Sequence, residues 1–134
     1  MAANTTPIFV IVPRIGMVRM STANTGRDGS GTLNDVITGG TNGTRVDRII
    51  ITATSTTTAG MVRLFIYDGT NNRFWREVSV TAATPSGTVQ AFTYTVTSPD
   101  LQNPLLVLPS TSHVLRAAPH NNETFDVIAL GGDF

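Results

Sequence analysis

Residues 45–81 read RVDRIIITATSTTTAGMVRLFIYDGTNNRFWREVSVT, and this stretch decides the fold. It predicts three consecutive β-strands, at 46–54, 61–68 and 73–81. Each run is rich in Ile, Val, Thr and aromatic residues, which suit a pleated and half-buried surface, and none is long enough for a typical helix.

Turn residues separate these predicted strands. Gly60 ends the Thr-rich segment after the first strand, and the run DGTNN at 68–72 follows the second. Gly and Asn tolerate the positive φ angles that tight turns need. The sequence therefore predicts an antiparallel meander.

The middle strand of this meander has two different faces. Val62, Leu64 and Ile66 alternate on one side and suit a core packed against a second sheet. The other side carries Met61, Arg63, Phe65 and Tyr67. Aromatic residues interleaved with Arg and Met are enriched at protein interfaces, so this side predicts a surface for association. The alternative is that a loop or the N-terminal segment of the same chain covers Phe65 and Tyr67.

In the next predicted strand, the alternation assigns Phe74, Arg76, Val78 and Val80 to one side of the sheet. Trp75, the only tryptophan, then falls on the opposite and mostly polar side. An aromatic side chain in such surroundings is expected to be available to a partner.

The N-terminal part of the chain is predicted to be extended. Residues 1–6 are small and polar, and the apolar run at 8–12 is bounded by Pro7 and Pro13, which favours an edge strand or an extended arm. Residues 1–20 are thus an N-terminal arm or edge strands. A long loop follows at 21–44, with one short strand expected at 32–38.

Further strands are predicted after the meander, at 88–97, 105–108, 113–118 and 125–130. The total of eight to ten short strands, with turn signals between them, is typical of an all-β protein. We expect a single domain over 1–134, an antiparallel β-sandwich of jelly-roll type with an extended N-terminal segment.

Composition limits the function. Nine basic residues, all Arg, balance nine acidic ones, so no overall charge attracts nucleic acid. The absence of Cys excludes thiol catalysis and Cys-ligated metal. No apolar run near the start is long enough for a signal peptide or a membrane span, so synthesis in a cytoplasm and no membrane partner are expected.

No catalytic, cofactor-binding or metal-binding residue is predicted. His113, His120 and Glu123 are the obvious candidates, but their spacing matches no known ligand pattern, and ordinary turn hydrogen bonds are the better interpretation. No Ser stands in a nucleophile-elbow pattern. We therefore expect a protein without a cofactor that is not an enzyme.

Short phrases spread along the chain resemble a family of small virion proteins of tailed phages and prophages. The phrases are PIFV at 7–10, STANT at 21–25, RVDRI at 45–49, TTAGMVRLFI at 57–66, WRE at 75–77, TPS at 84–86, LVLP at 106–109 and ALGGD at 129–133. They are strand and turn signatures rather than a catalytic fingerprint.

The resemblance implies a jelly-roll capsid decoration protein, also called a cement protein. Such a protein binds the outside of the phage capsid as a dimer or trimer and clamps neighbouring major capsid subunits. The implied partners are the phage major capsid protein and further copies of the chain itself. The implied location is the outer surface of the virion.

Two surfaces are predicted for this role. The self-association surface comprises Met61, Arg63, Phe65, Tyr67 and Trp75. The capsid surface comprises the N-terminal segment and the following loop, with contacts from Ile8, Phe9, Val10, Arg14, Met17, Arg19 and Arg27.

Two other classes of protein remain open from sequence. One is a receptor- or carbohydrate-binding module of a tail fibre, in which Trp75 with Asp68, Asn71 and Asn72 would form the sugar-binding patch. The other is a metal-dependent jelly-roll enzyme.

Overall fold

The computed structural model describes residues 10–99 and 103–134, and the regular structure in these ranges consists of β-strands without any helix. Within the described residues, therefore, no helix is long and apolar enough to span a membrane. The strands are β1 (Val12–Met20), β2 (Asn34–Thr38), β3 (Thr44–Ala53), β4 (Gly60–Tyr67), β5 (Asn72–Val80), β6 (Thr93–Thr97), β7 (Leu106–Leu108), β8 (Val114–Pro119) and β9 (Phe125–Asp133).

The strands form two antiparallel sheets that pack face to face. One, called here the β1 sheet, has the order β1-β9-β3-β6, and β7 pairs with β3 beside β6. The other, the β2 sheet, has the order β2-β8-β4-β5. The predicted antiparallel β-sandwich is confirmed.

The core lies between the two sheets and is aliphatic. Ile49 and Ile51 of β3 meet Val62 and Leu64 of β4, and Val127 of β9 joins them, all fully buried. Burying one such side chain contributes about 1.5–3 kcal/mol. Hence the predicted inward face of strand β4 is correct, with Val62 and Leu64 at its centre.

The predicted meander is wrong in one of its two connections. Strands β4 and β5 do form an antiparallel hairpin, and Gly69 in its turn has a φ of 96°. Strand β3, however, lies in the opposite sheet, because its two edges pair with β9 and with β6 and β7. Residues 54–59 cross between the sheets, and Thr57 exchanges backbone hydrogen bonds with Ala83 in the crossing.

Of the two alternatives for the N-terminal segment, the structure places Val12–Met20 in an edge strand. Strand β1 pairs with β9 in an uninterrupted register. Gly16 faces the β2 sheet so closely that a Cβ atom there would lie 2.5 Å from Cβ of Ile37. The β1 edge is therefore pressed against strand β2.

The predicted loop at 21–44 contains a loop, a strand and a turn. Residues 21–33 are irregular, β2 occupies Asn34–Thr38 close to the expected short strand, and residues 39–43 turn into β3. The irregular part, loop 21–33, reaches the outer side of the β2 sheet, where the main-chain N–H of Asn24 donates to the carbonyl of Pro119.

Candidate protein-binding surface

The outer face of the β1 sheet carries a group of aliphatic side chains that we call the apolar band. The strand register places Ile15 beside Leu130, and Met17 beside Ile128. Ile128 in turn lies opposite Ile50 of β3. Ile15 and Met17 are 53% and 65% exposed, and the other three are half-buried. An outward sheet face that is this apolar is typical of a surface that binds another molecule.

Strand β9 supplies two residues of this band because it is apolar on both sides over residues 127–130. Its inward residues are Phe125, Val127 and Ala129, all buried. Its outward residues Ile128 and Leu130 would normally be polar on a solvated antiparallel sheet. The triple isoleucine run of β3 has the same property, since Ile50 points outward between two buried neighbours.

An ion pair lies next to the band in the following row of the sheet. Arg19 Nε lies 2.8 Å from Asp126 Oδ1, and Arg19 Nη2 lies 3.0 Å from Asp126 Oδ2. The hydrogen bond from Arg19 lowers the pKa of the Asp126 carboxyl, and the same contact raises the pKa of Arg19. Both groups stay ionised at neutral pH, so this row contributes no net charge.

A shallow groove of about 330 Å³ lies between β1 and β9 on the same side. Its walls are formed by Met17, Val18, Arg19, Asp126, Val127 and Ile128. The groove is therefore bordered both by Met17 of the apolar band and by the ion pair of Arg19 with Asp126.

Arg48 lies on the same face as the band because of a β-bulge in β3. Val46 is paired with Gly131, whereas Arg48 is paired with Leu130, so Asp47 is an extra residue in the ladder. A bulge changes which way the following side chains point. Val46 and Ile49 both face the core, and Arg48 between them is exposed.

Arg48 also differs from the other arginines in its contacts. Among the described residues it has no ion pair, side-chain hydrogen bond or aromatic partner, whereas each of the other eight has at least one. The other pairs are Arg14 with Asp133, Arg19 with Asp126, Arg27 and Arg63 with Glu77, Arg45 with Asp47, Arg73 with Asp68, Arg76 with Trp75, and Arg116 with Asp35.

The predicted self-association surface is not one exposed face. Arg63 is 2% exposed, and Phe65 is fully buried with its ring edge-on to Phe74, 5.7 Å between centroids. Met61 and Tyr67 are only partly exposed. Arg63 and Phe65 are therefore corrected from contacts with a second copy to buried residues of the monomer.

Loop 21–33 explains the burial of Arg63. Arg63 Nη1 donates to the main-chain oxygen of Asn24 at 3.1 Å, and Arg63 Nε donates to Glu77. Arg27, also in the loop, reaches the same carboxylate, with Nε 3.1 Å from Glu77 Oε2. A loop of the same chain therefore covers this side of the β2 sheet at Arg63.

The expectation for Trp75 is also wrong. Phe65 pairs with Phe74 and Leu64 with Arg76, so Trp75 is the extra residue of a second bulge, in β5. Trp75 consequently packs against the core, and Phe74 points outward beside Phe65. Simple alternation predicts the opposite sides because it does not include the bulge.

The residues of the predicted capsid surface lie in separate places. Ile8 and Phe9 are outside the described residues. Val10 is half-buried, while Arg14 bonds Asp133 and the carbonyl of Thr38 at one end of the sandwich. Arg27 belongs to the loop over the β2 sheet. Of the described members of this set, Met17 and Arg19 alone lie on the outer face of the β1 sheet.

Two of the polar side chains proposed for sugar binding, Asp68 and Asn72, are occupied within the chain. Asp68 Oδ1 accepts the backbone N–H groups of Thr70 and Asn71. The Asn72 side chain donates to the carbonyl of Gly29 and accepts from Arg116. These contacts shape the β4–β5 turn and hold loop 21–33.

Both histidines make contacts inside the chain. His113 Nδ1 lies 3.2 Å from the hydroxyl of Ser110, and His120 Nδ1 lies 3.1 Å from Arg63 Nη1. In residues 10–99 and 103–134, no three His, Asp or Glu side chains are grouped so that they could hold a metal ion.

Sequence reasoning missed Arg48, Ile50, Ile128 and Leu130. The available signal was the failure of alternation in two strands, III at 49–51 and FDVIAL at 125–130. The two strands are neighbours in the sheet, so the two irregularities together form one surface. Only the pairing of β3 with β9 shows this.

No protein-family model matches the chain, and a search of curated proteins returned no match. The structure shows a β-sandwich with an apolar surface on the outside of one sheet.

Proposed function

We propose that the protein is a structural virion protein that binds the outside of a tailed-phage capsid and stabilises contacts between major capsid subunits. The observation that carries this proposal is the apolar band on the outer face of the β1 sheet. The resemblance of the sequence to phage decoration proteins supplies the identity of the partner.

We further infer that the sandwich is of jelly-roll type. When β6 and β7 are counted as one interrupted strand, each sheet has four positions, filled in the orders β1-β9-β3-β6 and β2-β8-β4-β5. Eight strands in two Greek keys constitute a jelly roll. A packed sandwich of this kind gives a rigid body with one outer face on each sheet.

The mechanism follows from selective binding. A protein that binds across two subunits of an assembled shell, and not to free subunits, stabilises the assembly by mass action. At a free concentration one hundred times the dissociation constant, binding stabilises the assembled shell by about 2.7 kcal/mol per site. No chemical step is required of the bound protein, so a rigid body with an apolar docking face is sufficient.

The test is co-sedimentation of the purified protein with capsids that lack it, followed by electron microscopy of the pellet. We expect regular density on the outer lattice. Met17→Asp, in the apolar band, should reduce the bound fraction at least tenfold, because it places a charge in a desolvated contact. Val89→Asp is the matched control, since Val89 is an exposed apolar residue far from β1 in sequence and in a loop.

Failure of the wild-type protein to sediment with capsids would contradict the proposal. Its detection at the tail of intact virions would favour the receptor- or carbohydrate-binding module instead. The oligomeric state, dimer or trimer, would be read from the shape of the capsid-bound density.

A further inference from the structure

Arg48 stands out because its exposed guanidinium, which has no partner in the described part of the chain, lies beside an aliphatic surface. On β9 its neighbour across the ladder is Leu130, and on β6 it is Thr97. Ile50 follows two residues later on the same face. Arg and apolar side chains together are the composition found at the centres of protein interfaces.

The nearest carboxylate in sequence does not neutralise Arg48. Asp47 is bound to Arg45, with Arg45 Nε 2.6 Å from Asp47 Oδ1. The other ion pair of this face, Arg19 with Asp126, is already complete. Among the residues that the structure describes, the face therefore carries one uncompensated positive charge, located at Arg48.

A guanidinium in this position selects a particular kind of partner. When an apolar partner surface covers the band, water is removed from around Arg48, and a buried charge without a counter-charge opposes binding. A carboxylate at the matching place in the partner removes this penalty, and it accepts two parallel hydrogen bonds from the planar guanidinium.

We propose that Arg48 is the specificity-determining residue of this face, and that its partner is a protein surface on which an Asp or Glu carboxylate is surrounded by apolar side chains. The inference rests on the proposed function, since it takes the capsid shell as the partner. Beyond the proposed function, it specifies that Arg48 decides binding and that a carboxylate of the shell protein contacts it.

The absence of Lys from the sequence makes a direct test possible. Arg48→Lys introduces a single lysine side chain, which a carbodiimide reagent joins to a carboxylate only when the two groups are in contact. Arg76→Lys is the matched control, because Arg76 is exposed on β5 of the other sheet and contacts the Trp75 ring rather than a carboxylate. Both variants are bound to capsids that lack the protein, treated with carbodiimide and digested for mass spectrometry.

We expect the lysine at 48 to be joined to an Asp or Glu of the shell protein, and the lysine at 76 to give no link to the shell. In the co-sedimentation measurement, Arg48→Glu should weaken binding about 30-fold or more. Arg48→Gln should weaken it less, because it removes the attraction without adding repulsion. Arg76→Glu should stay within about twofold of the wild type.

The two proposals fail in different ways. If the wild-type protein does not bind shells, the proposed function fails. If the wild type binds, while Arg48→Glu binds equally well and the lysine at 48 gives no link to the shell, the inference about Arg48 is overturned and the proposed function stands. Circular dichroism and unfolding midpoints of each variant verify that the fold is retained.

Discussion

The guanidinium of Arg63 lies 3.1 Å from Nδ1 of His120, so a buried arginine is within hydrogen-bonding distance of a histidine ring. The same guanidinium binds Glu77 and the main-chain oxygen of Asn24. One side chain of strand β4 thus connects β5, the residue following β8 and loop 21–33. The outer cover of the β2 sheet depends on this residue.

Replacing Arg63 by Ala should destabilise the protein by about 3 kcal/mol. The change leaves the carbonyl of Asn24 without its donor and removes one of the two arginines that bind the half-buried Glu77. Urea unfolding followed by the fluorescence of Trp75 measures the loss. Trypsin should also cut after Arg27 faster, because loop 21–33 loses its attachment.

The control for this change is Arg73→Ala. Arg73 is exposed, and its contact with Asp68 is long, at 3.4 Å. Exposed ion pairs of this kind contribute about 0–1 kcal/mol. Equal stability of the two alanine variants would contradict a central role for Arg63.

Glu77 gives a prediction about pH. The hydrogen bond from Arg27, with the charges of Arg27 and Arg63, lowers the pKa of the Glu77 carboxyl below its ordinary value of 4.5. A carboxyl whose pKa is lower in the folded state stabilises the fold fully above its unfolded pKa, and this contribution is lost as the pH falls through the folded value.

The measurement is the free energy of unfolding of the wild type and of Glu77→Gln between pH 7 and pH 2. We expect the wild type to be more stable by about 1 kcal/mol at pH 7. The difference should shrink below about pH 4.5. A difference that does not depend on pH would show that the ionised carboxylate is not what holds the loop.

Gly16→Ala should destabilise the protein by about 1–3 kcal/mol. A Cβ atom at Gly16 would lie 2.4 Å from the main-chain oxygen of Val36, so β1 and β2 must separate. Gly87→Ala is the control, because nothing lies within 4 Å of a Cβ atom at that position. Thermal unfolding compares the two, and a Gly16→Ala protein as stable as the Gly87→Ala protein would contradict the close contact.

Trp75 should report on folding and not on binding. Trp75 packs against the core from the β2 sheet, on the opposite side of the molecule from the apolar band. We expect its emission to shift to longer wavelength in urea and to stay unchanged when the protein binds capsids. A shift on binding, at constant fold, would place the contact on the β2 sheet.

The strands could be predicted from sequence because their composition and turn residues are local signals. Strands β3, β4 and β5 begin and end within two residues of the predicted bounds, and the inward side chains of β4 are correct. Which strands pair is not a local property. The sequence around Gly60 predicts a turn, yet nothing in it states that the chain there crosses to the other sheet.

The candidate surfaces were harder to predict for two physical reasons. Alternation identifies the two faces of β4 but not what lies over them, so the cover of Arg63 by Asn24 could be stated only as one alternative. Bulges reverse alternation without an evident signal in the sequence. The extra residues Asp47 and Trp75 decide the direction of Arg48 and Phe74, and the residue type at neither position identifies a bulge.

The interruption between β6 and β7 has a consequence for how the molecule avoids aggregation. Sheet edges attract other strands, and many proteins protect them with lysines, but this chain has none and is only 13% charged. Three of the four sheet edges are irregular instead, and the fourth, the uninterrupted strand β1, is pressed against β2. Two short pieces occupy one edge of the β1 sheet, and register shifts disturb both β2 and β5 at the edges of the other sheet. The chain is thus protected by the shape of its backbone, which leaves its outer side chains free to be apolar.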